Sequence, residues 1–206
     1  MKLNIALKIN DSDIEKLISF TDGITAKYNP VFKINDTDRI PHLTLFQGNF
    51  NDSEIDALND SIKRLASNYS PFKLYGLRLL SEHLTPTSIW YQFANRIKLI
   101  ALHFETLSLV SEFDISLEDK FKKGSEFLDK LNPIQKEQIE RFKNPYLGYV
   151  YDPHITLCRL ENNEDVQNIV NEFTPDLWEI RIEGISIFEG GEHGTCKNVI
   201  NEFTFT

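Results

Sequence analysis

Two pentads decide the reading of this chain: Pro41-His42-Leu43-Thr44-Leu45 and Pro153-His154-Ile155-Thr156-Leu157. Successive side chains on a β-strand point to opposite faces. His42 and Thr44 therefore share one face, and Leu43 and Leu45 share the other. His154 and Thr156 stand in the same relation to Ile155 and Leu157. Each strand should bury its aliphatic pair and present an imidazole beside a hydroxyl.

The sequence around the pentads repeats as well. Each is followed by helix-capping residues, Asn51-Asp52-Ser53 in one case and Asn162-Asn163 in the other. An apolar helix comes next, carrying Ile55, Leu58, Ile62 and Leu65 first and Ile169 and Val170 later. Strands are expected at 72–80 and 88–94 after the first helix, and near 177–188 and 197–205 after the second. Gly76 and Gly184 occupy comparable places in them. A strand is expected at 3–9, with Ser12-Asp13-Ile14-Glu15 as a capping box for a helix ending near Gly23. Residues 96–110 read as a largely buried helix with Ile97, Ile100, Ala101, Phe104 and Leu107 on its apolar face. Residues 113–146 are charged and read as an inserted helical segment.

The repeat points to an internal duplication. The expected fold is α+β, a bilobal pseudo-twofold arrangement of two antiparallel sheets flanking a central cleft with helices outside. Residues 1–206 would form one bilobal domain, with lobes at about 1–94 and 147–206 and the insert at about 113–146.

Facing strands of this kind surround an anion-sized space with two imidazoles and two hydroxyls. In-line displacement at phosphorus uses such a set: a base, an acid, and donors for the non-bridging oxygens. The bare His-x-Thr spacing is weak, because His83-Leu84-Thr85 and His193-Gly194-Thr195 share it. Pro86 follows the former and glycines surround the latter, so both read as turns, with a place on the cleft rim as the alternative. The full pentad singles out His42 and His154.

Composition limits the partners. The chain has 206 residues, a net charge of −9 and 41% hydrophobic content. This argues for an ordered chain that does not coat long nucleic acid, since such binding draws on clustered Lys and Arg. A small phosphate ester or short oligonucleotide in one locally positive cleft remains compatible. Two cysteines, Cys158 and Cys196, do not make a disulfide framework. No leader or membrane-spanning run is expected, and the protein is read as soluble and cytoplasmic.

Pro41-His42-Leu43-Thr44-Leu45-Phe46 and Pro153-His154-Ile155-Thr156-Leu157-Cys158-Arg159 resemble the paired signatures of the 2H phosphoesterases. That group includes RNA 2′,5′-ligase-like proteins and cyclic nucleotide phosphodiesterases. The resemblance implies a bilobal α+β fold and metal-independent cleavage of a 2′,3′-cyclic phosphate or a 2′,5′ phosphodiester. It implies His42 and His154 as the acid–base pair, Thr44 and Thr156 as phosphate donors, and no cofactor. Asn132-Pro133 through Asn144-Pro145-Tyr146 resembles the subgroup associated with phosphonate metabolism.

Other residues have two readings each. Phe46 falls on the cleft face by alternation and could stack a base, or it could belong to the core. Tyr149 and Tyr151 pose the same choice. Arg159 could reach phosphate or form a surface ion pair. Asp152-Pro153-His154 has a metal-ligand spacing but lacks a partner motif. Cys158 alternates onto the His154 face, where a small apolar role is the simpler one. The functional alternatives are a ligase acting in reverse on RNA ends and a non-catalytic nucleotide-binding module.

Overall fold

The computed structural model describes residues 1–81, 86–173 and 179–206, without the side chain of His193. His83, Thr85 and Trp178 lie outside the described residues. The strands are β1 (Lys2–Ile9), β2 (Pro30–Lys33), β3 (Leu43–Phe50), β4 (Phe72–Ser81), β5 (Ser88–Phe93), β6 (Ile115–Ser116), β7 (His154–Leu160), β8 (Glu179–Gly190) and β9 (Cys196–Thr204). The helices are α1 (Asp11–Thr25), α2 (Ile55–Ala66), α3 (Ile97–Val110), α4 (Glu126–Asp129), α5 (Pro133–Phe142) and α6 (Asn163–Glu172). The class is α+β, and every described strand pairing is antiparallel.

The nine strands form one continuous hydrogen-bonded path, in the order β2-β7-β5-β4-β8-β1-β3-β6, with β9 also on β8. β4 joins its two ends. Phe72–Tyr75 pair with β8, and Gly76–Ser81 pair with β5. The joint depends on Gly76, because a Cβ there would lie 1.5 Å from the Tyr91 hydroxyl. β8 carries β1 on one edge, and β4 then β9 on the other. The strands of residues 1–94 and 147–206 therefore interleave: β8 and β9 complete the sheet of β1 and β3, while β5 lies beside β7.

A single large core runs through these strands, from Leu3, Ile5 and Leu7 to Ile182, Ile185 and Ile187. Asn10, not Ser12, caps α1, its side chain accepting from the Ser12 amide. α2 buries Leu58, Ile62 and Leu65 as its spacing requires. α3 departs from expectation. It buries Leu99, Leu102, His103, Thr106, Leu107 and Val110, and leaves Ile97, Ile100 and Phe104 exposed. The helix is apolar around most of its circumference, so periodicity alone could not select the face that packs.

Residues 113–146 are more than a solvated helix. β6 extends the sheet beyond β3. Phe121, Leu131 and Ile139 form a small core with Leu117, Phe127 and Leu128 against it. A capping box between Asn132 and Gln135, with Pro133 following, starts α5. The Asn144 carboxamide donates to the Gln47 carbonyl at 3.2 Å, which ties the segment to the first pentad's strand.

Candidate active site

In both pentads the alternation holds as far as the threonine. His42 and Thr44 are half-buried while Leu43 and Leu45 are buried; His154 and Thr156 are half-buried while Ile155 and Leu157 are buried. After that, each strand bulges. Ala6 faces Thr44 but Ile5 faces Phe46, so Leu45 is the extra residue. Trp90 faces Thr156 but Ile89 faces Cys158, so Leu157 is the extra residue. A bulge interrupts the period of two. Phe46 and Cys158 consequently turn inward and are fully buried. Phe46 is thus a core residue, its ring 5.7 Å from Phe50, with no face left for a base. The Cys158 thiol, pushed up to about 12 by burial, is no nucleophile. Gln47 and Arg159, one place further on, are half-buried like the threonines.

Both imidazoles are fixed by the same local bond. His42 Nδ1 donates to the Ile40 carbonyl at 2.8 Å, and His154 Nδ1 donates to the Asp152 carbonyl at 2.6 Å. A carbonyl can only accept, so Nδ1 carries the proton in each ring. Nε2 is then the nitrogen able to exchange a proton with another molecule. Burial lowers the pKa of His42, opposed by backbone bonds with Ile40 and Gly194. Burial also lowers that of His154, to about 4, and the nearby His42 and Arg96 act in the same direction. The packing of β3 against β7 brings the two pentads together.

The surroundings of the two rings differ. Trp90 stacks on His154 with centroids 3.5 Å apart and planes 7° apart. The Asp152 carboxylate is gripped by Gln92 Nε2 at 2.7 Å and Arg96 Nη2 at 2.6 Å, and Arg78 Nε donates to Gln92 Oε1 at 3.1 Å. Asp152 thus belongs to an ion pair beside the imidazole. Among the described residues, no cluster of three His, Cys, Asp or Glu could hold a metal ion. His42 instead has Phe188 at 6.5 Å, tilted.

Thr44 is held from two sides. The Asn4 carboxamide donates to its hydroxyl at 3.1 Å, and the Tyr151 hydroxyl donates to its carbonyl at 2.8 Å. Asn4 is fully buried, and its Oδ1 has no hydrogen-bond partner. An aliphatic side chain would avoid that cost. What the carboxamide gains is the bond to Thr44, which leaves the threonine proton directed elsewhere. Tyr151 also stacks on His103, with centroids 3.8 Å apart. Its hydroxyl is engaged with the first pentad, so it acts as a brace between the pentads. Tyr149, by contrast, is exposed, contrary to a core role. Arg159 is half-buried, with Nε donating to Thr87 at 3.2 Å.

Sequence reasoning missed Asn4, Trp90 and Arg96. Asn4 left a signal, a carboxamide inside the apolar run Leu3–Leu7. The other two are joined to His154 by long-range register and a loop, which local pattern does not encode. A cavity of about 610 Å³ lies at the far end of β3 around Lys2, Asn49, Glu118 and Lys120. It contains none of these groups, and its Glu118 already pairs with Lys2 and Lys120.

The α+β fold is that of several solved structures. The Thermus thermophilus protein TT0787 matches with a TM-score of 0.61 and 18% identity, covering 100% of this chain and 98% of that one. A structure described as a phosphoesterase matches at 0.58 and 15%, covering 100% and 98%. E. coli LigT complexed with 3′-AMP matches at 0.59 and 15%, again covering 100% and 98%. LigT has also been solved with NADP+, ATP and phosphate. No protein-family model and no curated protein sequence matches the chain. No helix among the described residues is long and apolar enough to cross a membrane.

Proposed function

We infer that this chain is a 2H-type phosphodiesterase. It hydrolyses 2′,3′-cyclic phosphates or short 2′,5′-linked nucleotides, without a metal, by proton exchange at two histidines. The observation that carries this reading is the matched anchoring of the rings. Each Nδ1 is bound to the carbonyl two residues earlier, so in each neutral ring Nε2 is the basic nitrogen. The small nucleotides bound to LigT support a nucleotide substrate of similar size.

In the proposed reaction one neutral imidazole takes a proton from water as the water oxygen bonds to phosphorus. The other, as imidazolium, gives its Nε2 proton to the departing ribose oxygen as the P–O bond breaks. Thr44 and Thr156 donate to the non-bridging oxygens, and Arg159 adds positive charge beside them. A partly screened Arg96 contributes to the same local field. Net charge of the whole chain disfavours long RNA, while these groups suit one phosphate.

The test is turnover of 2′,3′-cyclic mononucleotides and 2′,5′-linked dinucleotides in EDTA. His42→Ala and His154→Ala should each lose about 10²-fold or more in rate. Full activity in either variant overturns the reading. Binding without turnover by the unaltered protein would assign it instead as a nucleotide-binding module.

A further inference from the structure

Helix α3 is apolar on two faces, and this chain covers only one. Ile97 is 86% exposed, Ile100 39% and Phe104 39%. With the exposed Ala101 they form a stripe at i, i+3, i+4 and i+7, one continuous helical face. Tyr149 widens it; its ring is 6.0 Å from Phe104 and it is 75% exposed. Scattered apolar residues are ordinary on a protein surface, whereas a contiguous strip of this kind marks a contact.

The charges on α3 identify the occupant. Lys98 lies in its first turn and Glu105 in its C-terminal half, while Arg96, the residue before the helix, is already paired with Asp152. The first turn has no acidic residue and the last has no basic one. This is the reverse of what the helix macrodipole favours. An antiparallel neighbour of the same sequence offsets that arrangement, since its acidic end lies beside this helix's basic end. The stripe is also self-matching about its midpoint: a twofold axis between Ile100 and Ala101 sets Ile97 against Phe104 of the other copy, and Ile100 against its Ala101. Lys98 and Glu105 flank the same side. Each has a local partner, the Phe72 ring at 5.1 Å and the Tyr69 hydroxyl at 2.6 Å, yet both remain exposed.

We propose that α3 docks antiparallel against α3 of a second copy of this chain, with the Ile97, Ile100 and Phe104 stripe as the centre of a twofold interface. The contact is separate from the two pentads, so it does not depend on the proposed chemistry.

Sedimentation velocity of the full chain over a concentration series tests this. The unaltered protein should sediment as a dimer that dissociates on dilution. Ile97→Glu should weaken association by about 100-fold or more, because two copies each lose a buried side chain. That substitution places an acidic residue in the first turn of the helix, where it favours folding. Lys98→Glu should also weaken the dimer, and adding Glu105→Lys should restore it, with circular dichroism confirming unchanged helix content. A monomer at every concentration overturns the proposal, and so does a dimer indifferent to Ile97→Glu.

Discussion

Trp90 lies flat on His154, ring against ring at 3.5 Å, from the strand position directly opposite Thr156. The corresponding position opposite Thr44 is Ala6. One imidazole is therefore clamped by an aromatic plane and the other is not. Trp90→Leu should lower kcat about tenfold with little change in KM, since the ring loses its fixed orientation. Trp90→Phe, which keeps a plane in that place, should retain activity within about threefold of the unaltered protein. Steady-state kinetics of both variants on a cyclic mononucleotide checks this; equal losses would assign Trp90 a purely structural role.

The pH dependence follows from burial of the imidazoles. Removing water disfavours the charged form, so both pKa values fall, that of His154 to about 4. A reaction that needs one neutral and one protonated ring is fastest between the two apparent values of the pair. The profile of kcat/KM should therefore be a bell centred on the acidic side of the ordinary histidine value. An optimum above neutrality would contradict the assignment of both rings.

His103 should make the fold acid-sensitive. It is fully buried, donates from Nδ1 to the Leu45 carbonyl at 2.7 Å and accepts the Gly148 amide at Nε2 at 2.9 Å. That pair of bonds requires the neutral ring, and burial brings its pKa to about 4. Between this value and the unfolded one the unfolded chain binds more protons, so stability is lost as pH falls through that window. The loss attributable to His103 is about 3 kcal/mol. Urea unfolding of His103→Gln at neutral pH and near pH 4 should show a smaller fall than the unaltered protein, from a lower starting stability.

Asn4 and Tyr151 should separate positioning from stability. Tyr151→Phe removes one bond to the Thr44 carbonyl and should cost about 1 kcal/mol in unfolding free energy. Asn4→Ala removes the bond to the Thr44 hydroxyl and also relieves an unpartnered carbonyl oxygen. It should lower kcat/KM about tenfold with a smaller cost in stability. Paired kinetic and denaturation measurements distinguish the two cases.

Local pattern makes the pentads, α2, seven of the nine described strands and the α+β class legible, because each is a matter of short-range periodicity; the short β2 and β6 escape it. It fails where a single extra residue intervenes. Strict alternation assigns both Phe46 and Cys158 to the cleft, and both are displaced by a bulge one residue earlier. Nothing in Thr44-Leu45-Phe46 announces that bulge, which shows only in the register of β3 against β1. The exposed face of α3 escapes the sequence for another reason: two apolar stripes compete on one helix, and only tertiary packing chooses between them. Trp90 and Arg96 reach His154 through pairings some sixty residues apart, beyond any local signal. The resemblance to the 2H phosphoesterases implies roles for the pentad residues only as expectations, while their anchoring through Nδ1 is seen in the structure.

The interleaving of β8 also sets the order in which this protein can be made. β1 precedes every other strand in synthesis, yet its edge partner β8 begins only at Glu179. Until that strand appears, β1 and β4 lack the element that lies between them. Contacts so distant along the chain delay folding. A nascent chain that has not reached Glu179 consequently exposes two strand edges to other chains, and the sheet closes only when β8 is available to fill the gap.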